Sequence, residues 1–212
     1  MSEARDWQQL STYLTGVDLD MYLEIPEDLS RRIEIKDGLV TVCESPSPNH
    51  NAIARNLQAA LLRGIAARRD GSPCLRVNGD VDMLVSEVPF HFKRPDVIVY
   101  RRIDTARPRW RKKPLVADTL LVVEVVSPST ITADTMDKRV EYARFGIPHY
   151  WIVRMAEHNG PVASIEMLQL GSDGTYSIQQ TAQRSLATDV AISMLDPFTA
   201  TVTWTELDLG VD

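Results

Sequence analysis

The chain has 212 residues, 44% of them hydrophobic and 25% charged, and a formal net charge of −6. That length suits one domain with room for a small appendage, and the composition is that of an ordinary soluble globular protein with enough apolar material for a core. It excludes a surface coated in basic charge, and no apolar run approaches the roughly 18 residues needed to cross a bilayer.

The opening stretch MSEARDWQQLSTYLTG has neither the basic start nor the apolar block of a signal peptide. It reads as a loosely amphipathic helix and a linker. RRIEI-KDG-LVTVCE then reads as a hairpin, with Asp37-Gly38 supplying the positive-φ turn chemistry. The Pro/Ser loop SPSPNH runs into a helix over about 49–68, where Ile53, Leu57, Ala60, Leu61 and Ile65 recur at helical spacing. RDGSP ends it.

CLRVNGDVDMLVS follows as two strand-like pieces, readable also as one bent strand. PDVIVY, 95–100, is a short strand that begins at a proline, where the missing N–H does least harm. The next segment, RRIDTARPRWRKK (101–113), holds seven basic residues against one acid, which leaves it at +6 and the rest of the chain at −12. Taken alone, such a run is a solvated loop. Between two strands that carry candidate acids it is also a contact surface for phosphate.

A strand over 118–126 comes next, broken by SPST, and a helix over about 132–145 starts with Asp134 in its first turn, where a negative charge suits the helix dipole. GIPHYWIVR returns to a strand. SIEMLQL-GSDG-TYSIQQ is a second hairpin, and weaker elements lead to the end. The order of strands and helices predicts an α+β, or mixed α/β, fold with a central mixed sheet flanked by helices.

Along the strand LLVVEVV, Leu120, Val122, Glu124 and Val126 share one face, while Leu121, Val123 and Val125 share the other. Both faces are otherwise apolar, so Glu124 is expected to be buried, and an unpaired carboxylate there costs several kcal/mol or shifts upward in pKa. An arginine partner would satisfy it. A metal ion would explain it better, because the cation offsets the desolvation. Asp96 opens the preceding strand with Ile98 and Tyr100 on its own face. Two acids converging from neighbouring strands suit a hard divalent cation, Mg²⁺ or Mn²⁺, which keeps several waters.

RIEIKDG, SPSPNH, RPDVIVY, LLVVEVVSPST and DTMDKRVEYARFGIPHYWIV together resemble the Uma-type restriction-endonuclease-like proteins of the PD-(D/E)XK nuclease superfamily. The resemblance covers roughly residues 22–182, leaving 1–21 as a helical extension and 183–212 as a C-terminal extension on the same domain. It implies a restriction-endonuclease-like core and Mg²⁺-dependent phosphodiester hydrolysis. Asp96 would be the first acid and Glu124 the second. The superfamily's lysine belongs two residues further on, but Val126 stands there.

Asp134, Lys138 and Tyr142 lie four residues apart on one helix face. On spacing alone, Asp134 and Lys138 make an ordinary surface pair worth about 0.3 kcal/mol. The resemblance reverses that preference, because the family shares an Asp-x-x-x-Lys-x-x-x-Tyr helix after the SPST turn. It implies that the lysine has moved to Lys138.

Glu34 reads from strand parity as a solvated residue; the resemblance offers it as a third acid that ligands the metal or holds its water. His50 is a helix-start histidine that the resemblance assigns to phosphate or water contact. Arg109, Arg111 and Lys112, with Trp110 among them, would track the nucleic-acid backbone.

The expected protein is thus a cytoplasmic endonuclease acting on nucleic acid, DNA foremost, with no membrane association, and the resemblance leaves a homodimer open. The two cysteines, Cys43 and Cys74, leave one disulfide open, but reduced thiols are expected. Two alternatives stand beside this reading. One is a DNA-binding or interaction protein that keeps the fold without catalysis; the other is a metal phosphoesterase with an enclosed pocket for small molecules. The position of Lys138 relative to Glu124 discriminates the first.

Overall fold

The computed structural model describes residues 16–43, 45–68, 74–102, 113–128, 133–185 and 191–211. They form two compact units. The first combines residues up to Ser45 with Asp82–Arg94, and the second combines Pro46–Val81 with Pro95 onward.

In the first unit two short helices, α1 (Leu19–Glu24) and α2 (Glu27–Ser30), lead into β1 (Ile33–Lys36) and β2 (Leu39–Val42). The turn between these strands has Asp37 at φ 52° and Gly38 at φ 81°, the left-handed pair that a two-residue hairpin requires. β4 (Met83–Glu87) and β5 (Phe90–Lys93) complete a four-stranded sheet in the order β2-β1-β5-β4. Ile33, Ile35, Leu29, Met83 and a Tyr22–Phe90–Phe92 aromatic group form its core.

The second unit is built on a six-stranded sheet. Its strands are β3 (Leu75–Gly79), β6 (Val97–Arg101), β7 (Thr119–Val126), β8 (His149–Met155), β9 (Val162–Leu170) and β10 (Tyr176–Gln183), in the order β10-β9-β8-β7-β6-β3. Every pairing is antiparallel except β7 with β8. The sheet is therefore mixed, and the chain is an α+β fold as its sequence predicts.

One face of this sheet is covered by α3 (Pro48–Ala66), whose Ile53, Leu57, Ala60 and Leu61 meet Leu121, Val123, Val125, Trp151 and Val153 in one apolar core. The hairpin of β11 (Ile192–Met194) and β12 (Ala200–Val202) and the short α5 (Trp204–Leu207) join that core. Between β7 and β8 the chain crosses through α4 (Ala133–Arg144), the connection that parallel neighbours need.

One expectation changes, and one strand is added. CLRVNGDVDMLVS is not one bent strand: Asp80 adopts φ 51°, which breaks the extended chain, and the pieces become β3 and β4 in different sheets. FHFK, whose apolar/polar alternation would put His91 and Lys93 on a solvent face, forms β5 with all four residues buried. The basic segment's Arg109, Trp110, Arg111 and Lys112 lie outside the described residues, as does the predicted helix before residue 16. Among the described residues no helix is long and apolar enough to cross a membrane. Cys43 and Cys74 are both exposed and are not joined in a disulfide.

Candidate active site

Glu124 projects from the middle of β7 on the sheet face opposite the α3 core, with its side chain 5% exposed. The strand's apolar neighbours bury it, so its charge must be met locally. α4 does this. The helix ends in a Schellman arrangement, with Gly146 at φ 72°, its N–H donating to Ala143 O at 2.9 Å, and the Ile147 N–H donating to Tyr142 O at 3.2 Å. That sharp stop turns the chain into β8 and seats the helix across β7 and β8.

Lys138 and Tyr142, one turn apart, both reach Glu124. Lys138 Nζ donates to Oε2 at 2.9 Å, and the Tyr142 hydroxyl donates to Oε1 at 2.5 Å. The buried partner is thus a lysine, where a simple structural pairing suggested an arginine. Burial pushes the Glu124 carboxyl up to about 7, against the pull of Lys138 and Tyr142 and with a push from the charge of Asp96.

Asp96 stands one residue before β6, whose ladder on β7 begins at Val97 opposite Val123. Its carboxylate replaces the missing backbone partner: Oδ2 accepts the Val125 N–H at 2.7 Å. The first acid is therefore pinned to the strand that carries the second. Its other oxygen, Oδ1, lies 2.9 Å from His50 Nε2, an ion-pair approach off the axis of a well-formed hydrogen bond.

His50 is placed by the start of α3. The Ser47 side chain caps the helix by accepting the His50 N–H at 3.2 Å, and Pro48 occupies the first turn. Buried Asn49 anchors the end to Asn159, donating from Nδ2 to its carbonyl at 2.6 Å. Burial pulls the His50 imidazole down, but the adjoining Asp96 carboxylate, with Glu124 behind it and Lys138 opposing, more than reverses this and leaves its pKa raised.

The structure thus brings together Asp96, Glu124, Lys138 and His50. Glu34 belongs to the first unit. There it is not solvated: its side chain is 12% exposed, Oε2 accepts from Lys93 Nζ at 3.1 Å, and Oε1 accepts the Arg94 N–H at 2.7 Å. Two features had no role assigned from sequence. The Tyr142 hydroxyl was signalled only by its place one turn after Lys138; the Val125 N–H on Asp96 carries no sequence signal.

Among the described residues no three His, Cys, Asp or Glu side chains form a ready cation cage. Asp96 and Glu124 offer two carboxylates close enough for the charge of one to raise the pKa of the other. Such an acid pair, completed by water, fits Mg²⁺ or Mn²⁺.

The Uma2 family profile, described as "Putative restriction endonuclease", matches residues 19–202. The chain belongs to the Uma2 family. The Uma2 match runs past residue 182 and takes in β11 and β12. Among solved structures, a protein described as a "putative nuclease" from Anabaena variabilis ATCC 29413 has a TM-score of 0.60 at 13% identity, covering 92% of this chain and 99% of its own. At that identity the likeness is one of fold. No curated protein is a significant match.

Proposed function

We propose that the chain is a metal-dependent endonuclease that hydrolyses phosphodiester bonds of nucleic acid, DNA foremost. The observation that carries this reading is the 2.9 Å contact of Lys138 with Glu124, an ammonium beside the acid in a chain that has Val126 at the superfamily's lysine position. In a binding protein the same contact would serve only to compensate the buried carboxylate, and its loss would cost stability and not turnover. Uma2 membership supports a nucleic-acid substrate.

In this reading Asp96 and Glu124 hold Mg²⁺ or Mn²⁺. The ion, when bound, lowers the pKa of a water and neutralises charge on the phosphate. Lys138 orients the attacking water and offsets the charge that develops on the phosphoryl oxygens. His50, which shares Asp96 Oδ1, contacts the phosphate or the water. Glu34 is assigned to the metal or its water on the family resemblance alone. Arg109, Arg111 and Lys112 follow the backbone through salt-sensitive contacts, each adding about 0.9 to the salt slope on duplex DNA. A homodimer would let two such sites act on two strands.

The test uses the full chain with plasmid, single-stranded DNA and RNA in Mg²⁺ or Mn²⁺. Cleavage is expected, with none in chelator and none from Asp96→Ala or Glu124→Ala. Activity surviving in either variant would sink the proposed site. Salt-dependent DNA binding with no cleavage in either metal would favour the binding protein instead.

A further inference from the structure

Tyr142 is fully buried. Its ring stands edge-on to Tyr150 of β8 at 5.2 Å and to Phe145 at 6.4 Å, so the phenol is clamped and has no path to a substrate. Its hydroxyl nevertheless makes the shortest bond to Glu124, 2.5 Å to Oε1. That length is typical of a hydroxyl bonded to a charged carboxylate.

We propose that Tyr142 is the positioning residue of the metal site, tying Oε1 so that Glu124 presents Oε2 to a divalent cation of the Mg²⁺ type. The proposal rests on Asp96 and Glu124 being the metal acids. Its support is a pattern that the two acids share. Each has one oxygen tied by a neutral donor from the protein interior: Tyr142 on Glu124, and the Val125 N–H on Asp96. Each turns its other oxygen to a basic side chain that keeps about a fifth of its surface in solvent, 22% for Lys138 and 19% for His50.

A neutral donor is the right chemistry for this task. It fixes the plane of the carboxylate without cancelling the charge that draws the cation. A second lysine at position 142 would cancel it. An apolar residue would leave the side chain to rotate, and a displaced oxygen would bind a cation that demands near-octahedral geometry less well. Lys138 and His50, partly exposed, are the partners that a metal would replace; the buried phenol is the one that it would leave in place.

Removing the hydroxyl tests this in the full chain. Tyr142→Phe keeps both ring contacts, and Mn²⁺ affinity measured by calorimetry is expected to fall 10- to 100-fold, the usual range for a partner that orients a metal ligand. With nucleic acid, kcat should fall while KM stays near the wild-type value. In a Glu124→Gln background the same substitution should cost no further Mn²⁺ affinity, because Tyr142 acts through that carboxylate. Tyr142→Phe protein that binds Mn²⁺ within about twofold of wild type would overturn the proposal, as would an undiminished loss in the Glu124→Gln background. Wild-type protein that binds Mn²⁺ but cuts nothing would remove the nuclease reading and leave Tyr142 to be judged on affinity. Wild-type protein that binds no Mn²⁺ would remove both.

Discussion

The two units each bury acids and bases, and they pair them differently. In the first unit Asp82 takes the Arg94 guanidinium on Oδ1 at 2.6 and 2.8 Å and the Tyr22 hydroxyl on Oδ2 at 2.8 Å. The same guanidinium donates to the carbonyls of Ser30 and Arg31. Glu34 has Lys93 on one oxygen and a backbone N–H on the other. The partners come from α1, from β5 and from the residue just after β5. In the second unit Asp96 and Glu124 each have one oxygen on a neutral interior donor and the other on a base about a fifth exposed, against 11% for Lys93. A saturated network fixes a fold, because any change leaves a buried charge uncompensated. A half-tied one can exchange a partner, which is what a binding site must do.

The sharpest way to break this contrast is to remove the lysine from each network. Lys138→Met keeps the length of the side chain and should lower cleavage by about a thousandfold, the scale for losing one donor to developing charge. Mn²⁺ affinity should not fall, because the lysine competes with the ion for Oε2. Lys93→Met should lower the denaturation midpoint and touch cleavage only through Glu34, far less than Lys138→Met does. If Lys138→Met loses turnover and metal affinity in equal measure, Lys138 is structural, and the contrast with Lys93 disappears.

The saturated network should fail by unfolding. Arg94→Leu removes both bonds to Asp82 Oδ1 and the two carbonyl contacts, stripping the guanidinium from an aspartate whose side chain is 5% exposed. A loss of about 3–5 kcal/mol is expected from denaturant titration, the range for stripping one partner from a buried pair. A loss below about 1 kcal/mol would mean that Asp82 is better hydrated than its burial suggests.

Much of this was readable in advance, and the remainder has physical reasons for being hidden. Strand parity was enough to bury Glu124, and four-residue spacing was enough to put Lys138 and Tyr142 on one helix face. Both rules are local. The hydroxyl on Glu124 Oε1 joins residues 18 apart and needs the crossover through α4; the Val125 N–H on Asp96 joins residues 29 apart and needs the register of β6 on β7. Strand parity puts Glu34 in solvent, but its partners arrive on and just after β5, whose alternating FHFK sequence assigns His91 and Lys93 to a solvent face. His91 and Lys93 are buried there through their polar contacts, which hydropathy cannot register.

The smallest effect separates the units by pH. In Glu124 the folded carboxyl is raised from 4.5 to about 7, chiefly by burial, so the folded state holds this proton more tightly than the unfolded chain does. The stability linked to that proton is fully present below about pH 4.5 and is lost as pH rises through 7. Glu124→Gln has no proton to lose, and its amide oxygen still accepts from Tyr142. In chelator the variant should therefore melt several degrees above wild type at pH 8 and show no such advantage at pH 4, while cutting nothing in Mg²⁺. Thermal melts across that range decide it. A variant less stable at pH 8 would mean that the bond to Lys138 outweighs the cost of burying the charge. Glu124 would then belong with the saturated acids of the first unit.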